Sequence, residues 1–187
     1  MRHDLAQKGY TLEIGRRETA AVFDAPRVLE LLNLAEIRDY IVILLASFVR
    51  IRTATLSVRV RPGLWRRLRF SDYDVDSLIQ YCQLQAESDR FDSYRRVGDV
   101  CLFLTGIFPE TRAPYRAVGF AAATPMSRTD LGRMFYQLAA GHKAAQAARM
   151  SGVLNSLAEN FELATKPLTV LARGYLSSFK EPFFTPA

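Results

Sequence analysis

The sequence predicts a mainly α protein: one domain, residues 1–187, folded as a bundle of about five to seven helices with a small β-hairpin near residues 53–70. Three observations lead there. Apolar residues recur at the i, i+3, i+4, i+7 spacing of a helix face through most of the chain. Those runs are bounded by helix start and stop residues, such as Asp24-Ala25-Pro26, Ser127 and Gly141. A chain of 187 residues, 49% apolar and 24% charged, is long enough for one full core and short for two, and its composition excludes general disorder.

Residues 1–23 are mixed. Tyr10, Leu12 and Ile14 alternate with polar residues, which predicts a short extended segment in an otherwise irregular stretch. Asp24 followed by Pro26 opens a helix through Val28, Leu29, Leu31 and Leu32, ending or bending at Asn33. Ile37, Tyr40, Ile41, Leu44, Leu45 and Phe48 then predict a core helix to about Arg50. From Thr53 to Arg61 the period changes to two: Ala54, Leu56, Val58 and Val60 alternate with Thr55, Ser57, Arg59 and Arg61. Pro62-Gly63 is a turn signal, and Leu64–Phe70 reads as the returning strand. The acidic run at 71–76 suits the positive end of a helix carrying Val75, Leu78, Ile79 and Cys82.

The segment Tyr94–Glu110 is the most apolar long run. Val97, Val100, Phe103, Leu104, Ile107 and Phe108 share a broad face, beside a strip of small residues at Gly98, Cys101 and Thr105. Such a helix belongs between neighbours on both sides, and Pro109 ends it. A long loop over 109–126 follows. Ser127 and Asp130 resemble a capping box, opening a helix with Leu131, Met134, Phe135 and Leu138 buried. Lys143–Ala164 reads as one amphipathic helix using Ala147, Met150, Leu154, Leu157 and Phe161. Thr165 and Pro167 mark a boundary before a short helix through Leu168, Leu171 and Tyr175, and the tail at 178–187 is expected to be irregular.

Arg96-Val97-Gly98-Asp99, Leu102-Phe103-Leu104 and Gly106-Ile107-Phe108-Pro109, with Leu131-Gly132, Tyr136 and Ala139 downstream, resemble an uncharacterised bacterial family of helical proteins. The resemblance implies a helical domain. It brings no activity and no functional residues.

The net charge of +6 and pI near 9.6 favour a polyanion or an acidic partner protein. The charge has a focus. Residues 41–71 contain no acid and seven arginines, and the candidate nucleic-acid-binding set is Arg52, Arg59, Arg61, Trp65, Arg66, Arg67 and Arg69. Guanidinium groups fork onto phosphates, an indole stacks on a base, and a two-stranded ribbon can enter a groove. The plainer reading is a solvated edge. Asp99 is a carboxylate on an apolar helix and must be paired or hydrogen-bonded. Arg95 and Arg96, one turn back, are its expected partners in a structural buried polar group.

Asp72, Asp74 and Asp76 resemble the start of a calcium loop, but Ser77 and Gln83 stand where glycine and glutamate are required, so capping is the expected role. Cys82 and Cys101 lie on apolar helical patterns and read as buried free thiols. With two histidines, no Cys/His ligand spacing and no Gly-rich phosphate loop, no catalytic residue, metal or cofactor is assigned. No apolar run is long enough for a membrane span, no signal peptide is apparent, and a cytoplasmic location is expected.

Three functions fit these residues. One is a non-catalytic module for nucleic acid or a ribonucleoprotein. The second is a protein–protein adaptor or homo-oligomer using apolar residues such as Phe183 and Phe184. The third is an enzyme or small-molecule sensor with a pocket near Asp99.

Overall fold

A computed structural model describes residues 2–14, 19–22, 24–48, 53–61, 64–71, 74–109 and 126–174. Over these the protein is mainly α. The order begins α1 (Arg2–Lys8), β1 (Thr11–Ile14), β2 (Thr19–Val22), α2 (Ala25–Asn33) and α3 (Ala35–Ser47). It continues through β3 (Thr53–Arg61), β4 (Leu64–Ser71), α4 (Val75–Leu84), a 3-10 turn at Glu87–Asp89, and α5 (Phe91–Ile107). It closes with α6 (Arg128–Gly141), α7 (Lys143–Ala147), α8 (Ser151–Glu159) and α9 (Phe161–Gly174). No described helix is long and apolar enough to cross a membrane.

Residues 2–14 and 19–22 hold more regular structure than the pattern of residues 1–23 suggests. The extended segment pairs as an antiparallel β1–β2 hairpin, and α1 precedes it. Asp24 occupies the N-cap position of α2, with Pro26 in the first turn, but its carboxylate makes no capping bond. It accepts a hydrogen bond from Thr11 Oγ1 and pairs with Lys166 Nζ at 3.5 Å. A largely buried lysine and carboxylate thereby tie β1, the start of α2 and α9 together, which is where a charge must be if it is to be buried at all.

α5 is the centre of the bundle. α6 and α9 pack along it, and α4 and α3 meet it elsewhere. Glycines on α5 and α6 make this possible. A Cβ at Gly98 would lie 2.6 Å from Tyr136 Cδ1, one at Gly106 would lie 2.5 Å from Leu168 Cβ, and one at Gly132 would overlap the Phe161 ring and Cys101. Missing side chains let α6 and α9 approach closely, and aromatic rings fill the space. Buried apolar side chains from Leu5 to Ala172 form one core, with Val97, Val100, Cys101 and Leu102 at its middle.

The α6 stripe is rotated from the expected one. Leu131 and Phe135 are buried, but Met134 is half-buried and Leu138 is exposed, while Gly132, Tyr136, Ala139 and Ala140 turn inward. The polar-looking Tyr136 is drawn in because Gly98 leaves room for its ring. Ser127 caps α6 as expected, its Oγ accepting from Asp130 N at 3.1 Å.

The segment read as one helix over Lys143–Ala164 is broken. Arg149 adopts φ 56°, Arg149 N donates to Gln146 O, and Met150 N donates to Ala145 O. This is a Schellman ending with an arginine in the left-handed position that glycine usually takes. Ala147 is accordingly exposed, whereas Leu154, Leu157 and Phe161 are buried. The boundary expected at Thr165–Pro167 is absent, and α9 runs through Pro167. An interior proline costs about 3 kcal/mol. Burial of Ala164, Leu168 and Ala172, and the hydrogen bond from Thr169 Oγ1 to Gly106 O, oppose that cost. Residues 110–125, most of the expected loop, and residues 175–187, with Tyr175, Phe183 and Phe184, lie outside the described residues.

Candidate functional site

The arginine-rich stretch forms an antiparallel ribbon of β3 and β4. Thr55 registers with Arg69, Ser57 with Arg67, Val58 with Arg66, Arg59 with Trp65, and Arg61 with Leu64. Directly opposed residues share a face. Thr55, Ser57 and Arg59 therefore share one with Arg69, Arg67 and Trp65, and Ala54, Leu56 and Val58 share the other with Phe70, Leu68 and Arg66. One face carries three arginines and the tryptophan; the other is mostly apolar. The register shifts between Arg59 and Arg61, so simple alternation does not carry Arg61 onto the Arg59 face. Every arginine of the ribbon stands opposite a neutral residue. α4 lies along β4 and joins the ribbon to the helices. Arg50, Arg52 and the turn at 62–63 lie outside the described residues.

The second arrangement is around Asp99, which α5 places in the core. Its hydrogen-bond donors are two tyrosines. Tyr40 Oη of α3 donates to Oδ1 at 2.7 Å, and Tyr136 Oη of α6 donates to the same oxygen at 2.9 Å, with the rings edge to face. The expected arginine partner is replaced: Arg95 bonds Asp92 at 3.1 Å, while Arg96 bonds Ser47 Oγ at 2.9 Å and lies over the Phe48 ring. Residues one turn apart on a helix can meet, but here that turn leads to the helix surface, and the interior contacts of Asp99 come from other helices. Burial pushes the Asp99 carboxyl up, and the hydrogen bonds from Tyr40 and Tyr136 together with the charges of Arg95 and Arg96 oppose it. Burial also raises both phenols, with Asp99 adding to the effect. The cluster thus holds α3, α5 and α6 in register through one shared oxygen. Neither tyrosine was expected at Asp99: Tyr40 reads as a core-face residue of its helix, while Tyr136 lies off the α6 stripe that the periodicity predicts.

The remaining candidates have local roles. Asp74 is the N-cap of α4 and accepts from Ser77 N at 3.3 Å, so the acidic run does cap; Asp72 lies outside the described residues. His142 closes α6 and opens α7. Its Nδ1 accepts from Ala144 N at 3.1 Å and its Nε2 lies 2.9 Å from Glu87 O, a pattern that needs the neutral Nε2–H tautomer. Cys82 and Cys101 are buried free thiols, both pushed up to about 12 by burial.

Comparison with known proteins finds no family model, no curated protein and no solved structure that matches the chain.

Proposed function

We propose that the protein is a non-catalytic nucleic-acid-binding module that lays the β3–β4 ribbon along a phosphate backbone, bare or within a ribonucleoprotein. The observation that carries the reading is the register, in which five ribbon arginines face only neutral partners across the strands and no acid occurs in residues 41–71. Arg59 and Arg67 occupy diagonal register positions with no acid between the strands, and like charges crowded on a ribbon disfavour one another. A row of phosphates relieves that repulsion and releases counterions. A cytoplasmic location suits such a partner.

The test is filter binding at low salt with single-stranded DNA, duplex DNA and RNA. Arg59, Arg61, Arg66 and Arg67 replaced together by Ala should weaken binding to all sequences alike, since phosphate contacts position without specifying. The log–log salt slope should shrink by roughly 3–4 if all four touch phosphate. Trp65→Ala should weaken single strands more than duplexes, because only unpaired bases expose a free face. Failure of all three probes to be retained refutes the reading.

A second reading, an adaptor or homo-oligomer, is supported by α3. Its outward face exposes Val42 (60%) and Ile43 (68%), with apolar residues also on its buried side. Self-association that persists at high salt favours this reading, and its loss in Ile43→Asp assigns it to α3.

A further inference from the structure

At the end of α5 remote from Phe108, the turn Glu87–Asp89 stands off the C-terminal part of α6 and leaves an open groove of about 800 Å³. That is the size range of sites for small organic ligands. Met134, Leu138, Gly141 and Ala144 supply its apolar lining, with the buried Tyr94 beside them. Leu138 is the residue that the helical pattern assigned to the core and that the rotation of α6 turns outward. The wall is pre-formed, because His142 bonds the Glu87 carbonyl through Nε2 while capping α7 through Nδ1, and its ring stacks on Phe91. A site held in shape before binding loses less to ordering.

The charges of the lining are not balanced. The Glu87 carboxylate is engaged by Arg90 Nη1 at 2.6 Å. Lys143, also in the lining, has no carboxylate partner among the described residues, and the Gln137 side-chain carboxamide has no hydrogen bond among them. Among the described residues, what remains is an apolar floor with one unneutralised cation, Lys143, and one free carboxamide, Gln137. We propose that this groove binds a small amphipathic organic anion, an apolar body carrying a carboxylate or sulfonate, with the body over Leu138 and Gly141 and the anion toward Lys143 and Gln137.

The probe is anilinonaphthalene sulfonate, an aromatic anion whose fluorescence rises in apolar surroundings, titrated into the folded full chain. One dye per chain is expected. A Cβ added at Gly141 meets nothing within 4 Å, so Gly141→Leu should fill the groove with the fold intact and abolish binding. Leu138→Gln provides a second variant and should weaken binding as well. Lys143→Glu should weaken the dye about tenfold, and the uncharged phenylnaphthylamine analogue should be indifferent to that change. Ile43→Asp, on the exposed apolar face of α3, should leave dye binding unchanged. Displacement by decanoate identifies an aliphatic body and displacement by naphthoate an aromatic one. The proposal is overturned if folded Gly141→Leu and Leu138→Gln both bind dye like the wild type, if Ile43→Asp abolishes binding, or if neither acid displaces the dye. None of these positions lies in the ribbon, so this outcome and that of the nucleic-acid test are read separately.

Discussion

Replacing Asp99 by Ala removes the acceptor of two buried phenols at once. Tyr40 and Tyr136 both donate to Oδ1, at 2.7 and 2.9 Å. A buried donor left without a partner costs about 1–3 kcal/mol, so two give roughly 2–6 kcal/mol. That is a large part of the 5–15 kcal/mol by which an ordinary domain is stable. Asp99→Asn keeps a carbonyl oxygen for both hydroxyls and should cost clearly less. Tyr136→Phe and Tyr40→Phe each delete one hydrogen bond to an ionisable acceptor, at about 1.5–3 kcal/mol. In the Asp99→Ala background the same Phe changes should cost less, because no hydroxyl is left stranded.

The pH dependence follows from the direction of the shift. Burial raises the folded-state pKa of Asp99 above its unfolded value. The folded state therefore holds this proton more tightly, and the contribution of Asp99 is fully present below the unfolded pKa and lost as pH rises through the folded pKa. The stability of the wild type relative to Asp99→Asn should decline as pH is raised from the acidic side toward neutrality. Urea unfolding followed by circular dichroism at a series of pH values measures both quantities. A loss for Asp99→Ala below about 0.5 kcal/mol, the scale of an ordinary surface change, refutes the argument, as does a relative stability that climbs with pH.

Gly132→Ala should destabilise by about 1–3 kcal/mol or more, since its Cβ would overlap the Phe161 ring and Cys101 in a packed core; an unchanged melting temperature contradicts the close α5–α6–α9 packing. Ser127→Ala should cost about 1 kcal/mol through loss of the α6 cap, measured by the same urea titration. Cys82 and Cys101, pushed up to about 12, should resist a thiol-specific reagent at pH 8 in the native protein and react fully in denaturant, and fast native labelling of either would place it outside the core.

Where local patterns are dictated by one element's own physics, they were readable in order. The capping box at Ser127, the period-two run of Thr53–Arg61 and the stripe Val75, Leu78, Ile79 and Cys82 all lie where short-range spacing puts them. The errors share a cause. Leu138 was placed inside because periodicity weighs side chains by apolarity, whereas the packed orientation of α6 is decided by the space at Gly98, into which Tyr136 fits. Pro167 reads as a boundary because an isolated helix breaks there, but packing against α5 accompanies a helix that continues through it. Arg149 gave no stop signal, since arginine is rarely found where glycine is favoured.

By itself, then, the sequence indicates that the protein is mainly α, that a basic hairpin lies near residues 53–70, and that Asp99 is a buried, structural carboxylate on its helix. Those properties depend on periods of 2 and 3.6 and on charge, which are written along the chain. The partners of Asp99, the joining of Asp24 to Lys166 and the groove beside Leu138 were decided by tertiary structure alone. Each depends on residues 37 to 142 positions apart, or on different helices, meeting at distances of a few ångströms. No periodicity encodes which helix a given face will meet, because that is set by the fit of side-chain volumes across the whole core.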